Sequence, residues 1–582
     1  MKKRRKPGRD DSSLEQGAIC KQEKGLTRVA LVYPNTYKTG MSNLGFQRVY
    51  QLANQQETVA CERFFLPGPD QAKMPAKSCE AGLPLDRFDI ILFSISFEND
   101  FVHLVQLLLG AGIPLRSCDR NHTHPLVAAG GVACFINPEP VAPFMDLFLL
   151  GEAECLIPGF FSVFSVHKKR TDLLNVLEKH LPGAYVPALH TPFLYAASSE
   201  QRHNSIHENC ASGKIQVQLL KNLEDVQTHT CVLTAGTAFK DKFMVEIMKG
   251  CPHGCRFCTA GFIYRPPRIY PENTIFAAMN KALGKTDKIG LVGSAILDHP
   301  DIAAICSHGA KNGCSLSFSS LRADKLDDQM TDLLAASSVK TATIAPEAGS
   351  ERMRHIINKK MTLQDILQAV DKLVGKNILH LRLYFMIGLP FETHKDAEAI
   401  VTLTRQIKER FLAASRKQKR MGTITLRINP FIPKPGTPFQ WAAFADDATL
   451  KHRAGIIQQG LKKTANVTVN IASVKTAKIN ALLSLGDRHT ADVLETANRY
   501  GWPRALKAHQ AHLYQVVYTR KKIPCPSEDS CDHTSAPPLP WHILDQHISL
   551  RFLVKEWHRA QQEKQSAACP MIDCRTCRIC MS

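Results

Sequence analysis

The strongest constraint on this chain lies between residues 243 and 429, where short apolar runs alternate six times with helical stretches. The runs occupy 243–249, 288–293, 315–321, 340–346, 381–388 and 423–429, and helical periodicity fills the gaps, notably at 363–374 and 397–411. Short apolar strands separated by helices pair in parallel, because each helical crossover returns the chain to the same end of the sheet. Six such units predict an open, partial (β/α)6 barrel with its functional residues at the C-terminal ends of the strands. Cys251, Ser294, Arg322, Glu347 and Gly388 all fall at such ends.

The first strand end opens into Lys249-Gly250-Cys251-Pro252-His253-Gly254-Cys255-Arg256-Phe257-Cys258. Gly254 lets the backbone curl, so three thiolates can face one centre. Soft thiolates select zinc, copper(I) or iron–sulfur clusters. A structural zinc site closes with four ligands, and no fourth Cys or His follows at finger spacing. The ring of His253 is expected to point away from the thiolates. Three thiolates suit a four-iron cluster with one iron left open, although such clusters usually carry four cysteines. Zinc, or three cysteines together by chance, are the alternatives.

C-x3-C-x2-C with an aromatic before the third cysteine, here Phe257, resembles the signature of the radical SAM enzymes. The resemblance implies a [4Fe-4S] cluster on Cys251, Cys255 and Cys258, with S-adenosylmethionine on the open iron. It also implies a reductant such as flavodoxin or ferredoxin, whose electron cleaves the cofactor to methionine and a 5′-deoxyadenosyl radical. Cofactor-binding residues follow by position. Gly293-Ser294 stands where the family more often has Gly-Gly-Glu, so Ser294 departs from the pattern. Ser319 and Arg322 match the ribose and carboxylate positions, and a bidentate Arg suits a carboxylate. Glu347 and Ser350 match the fourth-strand segment, and Gly388 the backbone that holds adenine. Arg322 pairing with Asp324, and Glu347 as an ordinary loop carboxylate, are the plainer readings. Two further segments, 429–441 and Gly486-Asp487-Arg488, resemble a radical SAM subgroup of unassigned reaction. They identify relatives rather than chemistry.

Strands at 26–34, 89–96, 126–131 and 145–150, with helices between, predict a doubly wound α/β domain with a ligand crevice at its strand C-termini. Gly130-Gly131, Asn137-Pro138-Glu139-Pro140 and Gly151-Glu152-Ala153-Glu154 resemble the cobalamin-binding domain that precedes many radical SAM cores. The Asp-x-His-x-x-Gly loop of other cobalamin proteins is missing, and the stretch from Asn35 to Gly45 has no His. Cobalamin as a cofactor, and a degenerate domain that shapes the substrate pocket, both stay open. The expected organisation is a basic disordered tail (1–25), this cobalamin-binding-like domain (26–165), a bridge (166–240), the radical SAM core (241–445), a mostly helical region (446–560) and a Cys-rich tail (561–582).

A length of 582 residues allows about three or four domains of ~150 residues. No apolar run reaches the ~18 residues of a membrane span, so no membrane partner and a cytoplasmic location are expected. A net charge of +20 attracts polyanions. The basic stretch from Arg405 to Arg420 reads as a solvated helix face or as an RNA contact. Nineteen cysteines are many for a reducing compartment, where disulfides are not expected. Cys569, Cys574, Cys577 and Cys580 could close a zinc site or hold a second iron–sulfur cluster, or be redox-active or inert thiols; Cys525 and Cys531 lie upstream. Three functions follow: radical modification of a substrate, methyl or methylthio transfer to RNA or ribosomal protein, and a non-catalytic iron–sulfur or zinc scaffold that passes electrons.

Overall fold

The computed structural model describes residues 15–21, 25–68, 74–166, 169–194, 213–318, 321–337, 339–417, 419–519, 539–571, 574, 576–577 and 579–581. Ser319, Cys525 and Cys531 lie outside the described residues.

Strands β1 (Thr27–Tyr33), β2 (Val59–Phe65), β3 (Ile90–Ser94), β4 (Leu126–Gly130), β5 (Leu147–Leu149) and β6 (Ala184–Tyr185) form one sheet in the order β2-β1-β3-β4-β5-β6. Neighbours are parallel except β6, which runs antiparallel to β5. β1, β3 and β4 are buried almost throughout, as strands covered by helices on both faces must be. The order reverses between β1 and β3, and such a switch point opens a crevice at the strand C-termini.

β2 escaped the sequence reading because Glu62 and Arg63 sit in its middle. Arg63 is 1% exposed and survives burial through Glu15 and Glu80, each at 2.6 Å, and the Tyr50 ring 5.0 Å away. A buried charge must be paired. Glu15 lies within the span expected to be a disordered tail, yet residues 15–21 pack here. Gln16 bridges Leu233, and the Ile19 N–H donates to the Tyr50 hydroxyl at 2.8 Å.

β7 (Ile215–Gln216) follows in the bridge. The core comprises β8 (Phe243–Glu246), a short pair of β9 (Met248–Lys249) and β10 (Arg268–Ile269), then β11 (Lys288–Val292), β12 (Ser315–Phe318), β13 (Thr341–Glu347), β14 (His380–Ile387), β15 (Thr423–Pro430) and β16 (Val467–Ile471). β8, β11 and β12 form one parallel sheet and β13–β16 another; a parallel bridge from Leu321 to Ile344 joins them. The open barrel thus has the six expected strands and a seventh, β16, from the region read as mostly helical. Its Val-Thr-Val-Asn-Ile is a five-residue, half-buried edge strand between two helices.

Helices Val474–Leu485, Thr490–Tyr500, Trp502–Ala508, Gln510–Val517 and Leu550–Gln561 follow, and β17 (Leu544–Asp545) pairs with β7. One apolar core runs through all three regions. Two motifs known only by resemblance meet in this packing. Asn137 donates to the carbonyls of Ser484 (3.1 Å) and Gly486 (2.9 Å), and buried Glu139 accepts from Arg488 (2.9 Å) and the Tyr185 hydroxyl (2.5 Å). They fasten the N-terminal domain to the helical region. Among the described residues, no helix is long and apolar enough to cross a membrane.

Beside this contact, buried Asp487 accepts the His489 N–H at 3.0 Å, and His512 Nε2 bonds the Thr490 hydroxyl at 3.0 Å. Burial holds the His512 imidazole down to about 4, with His489 and His509 adding to the effect. The unfolded chain takes up a proton near pH 6.5, and the folded one only near 4. Stability from this group is therefore full above pH 6.5 and declines as the pH falls toward 4, by up to about 3 kcal/mol. Denaturant unfolding across pH 4–7 should show this slope, and His512→Gln should flatten it.

Candidate active site

The loop after β9 is built on glycine and on one arginine. Gly250 has φ +78°, and a Cβ there would stand 2.7 Å from the Tyr264 carbonyl. Arg256 is fully buried. Its guanidinium donates to Glu556 (3.0 Å), to the carbonyls of His355 (3.1 Å), Ile356 (2.7 Å) and Lys564 (2.7 Å), and to the Ser566 hydroxyl (3.1 Å). Its own carbonyl accepts from the Phe439 N–H in the segment 429–441. Asn358 joins the Gly254 carbonyl (2.9 Å) to the Ser566 N–H (2.9 Å). Sequence reasoning missed Arg256 and Asn358; a charged residue between two ligand cysteines was the available signal for the first.

The loop brings the three cysteines together. Burial, with the charge of Cys255 adding to it, pushes the Cys251 thiol up to about 12 and the Cys258 thiol up to about 11. A metal ligand must be a thiolate, so these thiols ionise together only with a cationic centre among them. Three thiolates with no fourth ligand from the loop suit a cluster with one open iron better than a closed zinc site. His253 turns to Asp298 at 2.8 Å.

The candidate cofactor residues take distinct places. Arg322 stands near enough to act on the charge of Cys251 and Cys255, and its guanidinium grips Asp324 at 3.0 and 2.9 Å. Glu347, at φ +67°, acts on Cys258; burial pushes its carboxyl up, and Lys359 opposes this from 3.5 Å. Lys359 was not foreseen. Ser294 lines the large cavity described below. Ser350 holds the fold: its side chain caps the helix Glu351–Ile356 by accepting the Met353 N–H and donates to Asp396 at 2.6 Å. Gly388, at φ +82°, packs under Leu450, and its N–H donates to Glu392 at 2.5 Å.

A cavity of about 620 Å³ lies between this loop and the N-terminal sheet. Gly45, Phe97, Gly131 and Glu154 line one side, at the C-terminal ends of the sheet; Lys249 and Ser294 line the other. Its wall charges are paired: Arg48–Glu154 at 2.9 Å, Lys249–Glu246 at 3.0 Å and Arg268–Glu152 at 2.8 Å. The motif glycines on this wall serve the fold. A Cβ on Gly131 would meet the Ile95 carbonyl at 2.5 Å, and one on Gly151 the Gln218 carbonyl at 2.2 Å.

Comparisons with known proteins assign the chain to a family. The family "Radical SAM proteins, N-terminal" matches residues 45–187, and "Radical SAM superfamily" matches residues 245–404. The chain belongs to the radical SAM superfamily, whose members are enzymes that use a [4Fe-4S] cluster and S-adenosylmethionine. An uncharacterized protein of Methanocaldococcus jannaschii is 28% identical over 474 residues, 81% of this chain and 91% of that one. A tRNA-2-methylthio-N(6)-dimethylallyladenosine synthase of Wolbachia pipientis subsp. Culex pipiens is 24% identical over 193 residues, 31% of this chain and 44% of that one. The solved radical S-adenosylmethionine methyltransferase TsrM from Kitasatospora setae aligns over 93% of this chain and 96% of its own, with 13% identity and a TM-score of 0.46.

Arg256→Ala would strand the buried carboxylate of Glu556, 5% exposed. Removing one partner of a buried ion pair costs on the order of 3–5 kcal/mol. The variant should unfold at lower denaturant and hold less iron after reconstitution, and Arg256→Lys should not restore it, because one ammonium cannot reach all five acceptors.

Proposed function

We propose that this chain is a radical enzyme whose substrate enters the cavity between the N-terminal sheet and the Cys251–Cys258 loop. The observation that supports this most is the cavity's double position: at the switch point of a doubly wound sheet, where ligands bind, and against Lys249, Gly250 and Ser294 beside the cluster loop. Cys251, Cys255 and Cys258 would hold the cluster. When bound, cluster and S-adenosylmethionine supply a 5′-deoxyadenosyl radical, given one electron from a reductant protein. Arg322 would shift from Asp324 toward the carboxylate of the cofactor, and Glu347 with Lys359 would face it from the fourth strand. The N-terminal domain closes the barrel mouth and keeps water from the reacting atoms. A cavity of this size suits a drug-sized substrate.

A second reading is methyl or methylthio transfer, with cobalamin over the ends of β1, β3, β4 and β5. The cavity at those strand ends favours it. The fold's own need for Gly131 and Gly151 weighs against reading these glycines as a corrinoid cradle. Of the two acceptors expected for this reading, RNA or a ribosomal protein, the charge of +20 favours RNA.

Anaerobic reconstitution with iron and sulfide, followed by chemical reduction, should yield 5′-deoxyadenosine from S-adenosylmethionine. A yield no higher than that of Cys255→Ala would end the radical reading. One cobalt per chain in protein grown with cobalamin would place cobalamin in the N-terminal domain, and RNA that co-purifies through high salt would support the second reading.

A further inference from the structure

The four C-terminal cysteines have no part in the site described above, yet the fold delivers them to its back. After the helix Leu550–Gln561 the chain runs under the cluster loop. Lys564 and Ser566 accept from Arg256, and the Cys569 N–H donates to the Pro252 carbonyl at 2.8 Å. Pro252 is the residue after Cys251, so the two cysteine sets share a hydrogen bond. Cys569 is 9% and Cys577 2% exposed, and Cys574 and Cys580 are partly buried. Cys574 and Cys577 lie near enough to Cys569 to act on its charge. Cys580 follows Cys577 at the two-residue spacing common to thiolate metal sites.

A buried cation beside them points to what they bind. Arg265 is 6% exposed, held between the rings of Phe262 and Phe552 at 5.1 Å from each, and its Nε donates to the Gly261 carbonyl. Among the described residues no carboxylate pairs with it. Its charge acts on Cys569 and Cys574. A buried guanidinium is stabilised by a nearby anion. Four thiolates around a divalent ion or an iron–sulfur core carry net negative charge and would supply it.

We propose that Cys569, Cys574, Cys577 and Cys580 form a second, four-thiolate metal centre docked on the Cys251–Cys258 loop, with Arg265 as its buried counter-charge. The centre takes a soft metal, either an iron–sulfur cluster or zinc. It locks the tail that supplies two of the partners of Arg256. The proposal stands apart from the radical reading, since its ligands and its test need no S-adenosylmethionine.

The test uses the full chain with Cys251, Cys255 and Cys258 changed to Ala, purified anaerobically and reconstituted with iron and sulfide or, separately, with zinc. The expected result is one centre per chain that survives gel filtration, falling to background when Cys574→Ser and Cys577→Ser are added. Iron with acid-labile sulfide, or zinc alone, identifies the metal, and either outcome supports the site. A folded triple variant that retains neither metal overturns it, as does retention unchanged by the two serines. Should the triple variant not fold, Cys574→Ser in the otherwise native chain serves instead. Loss of one of two centres supports the proposal, and unchanged metal content overturns it.

Discussion

The guanidinium of Arg256 is the contact on which the rest of the site depends. It sits between two ligand cysteines, fully buried, and its five partners come from segments around residues 355 and 556–566. Burying a charge is costly unless every donor is satisfied. Meeting that requirement fixes where the fourth-strand loop, the last helix and the C-terminal tail must lie relative to the cysteines. The loop is therefore held by chain that is remote in sequence, and its thiols keep their mutual placement without ligand help from their own strand.

The N-terminal domain is joined by the same logic at a second point. Asn137 and Glu139 direct their hydrogen bonds to 484–488, and Lys434 reaches Glu98 at 2.5 Å from the segment 429–441. These contacts explain motifs that pattern reading could only match to relatives. They set the gap between sheet and barrel, and the cavity is what the gap leaves.

Much of this was legible. β1, β3, β4 and β5 announced themselves as apolar runs ended by Gly or polar loops, and six core strands followed their periodicity. The cysteine loop was plain because ligand spacing is local. What failed to show was stabilised from afar. β2 hides an arginine that only Glu15 and Glu80 make tolerable, and β16 is too short and half-exposed for its alternation to stand out. Ser350 shows the converse: a hydroxyl picked out by its position, whose hydrogen bonds to the helix it caps and to Asp396 no pattern announced. Position along a strand end is read from sequence; what a side chain grips is not.

The span between Arg256 and Glu556 also orders events in time. Three hundred residues separate the two. At roughly 5–20 residues per second, a ribosome needs about 15–60 s to make them. Through that interval the cysteine loop has left the ribosome but lacks the helix and tail that close it. Iron and sulfide can reach the thiols while they are still accessible. Completion of the chain then fastens the loop through Arg256, so synthesis leaves an interval in which the loop lacks the partners that later hold it.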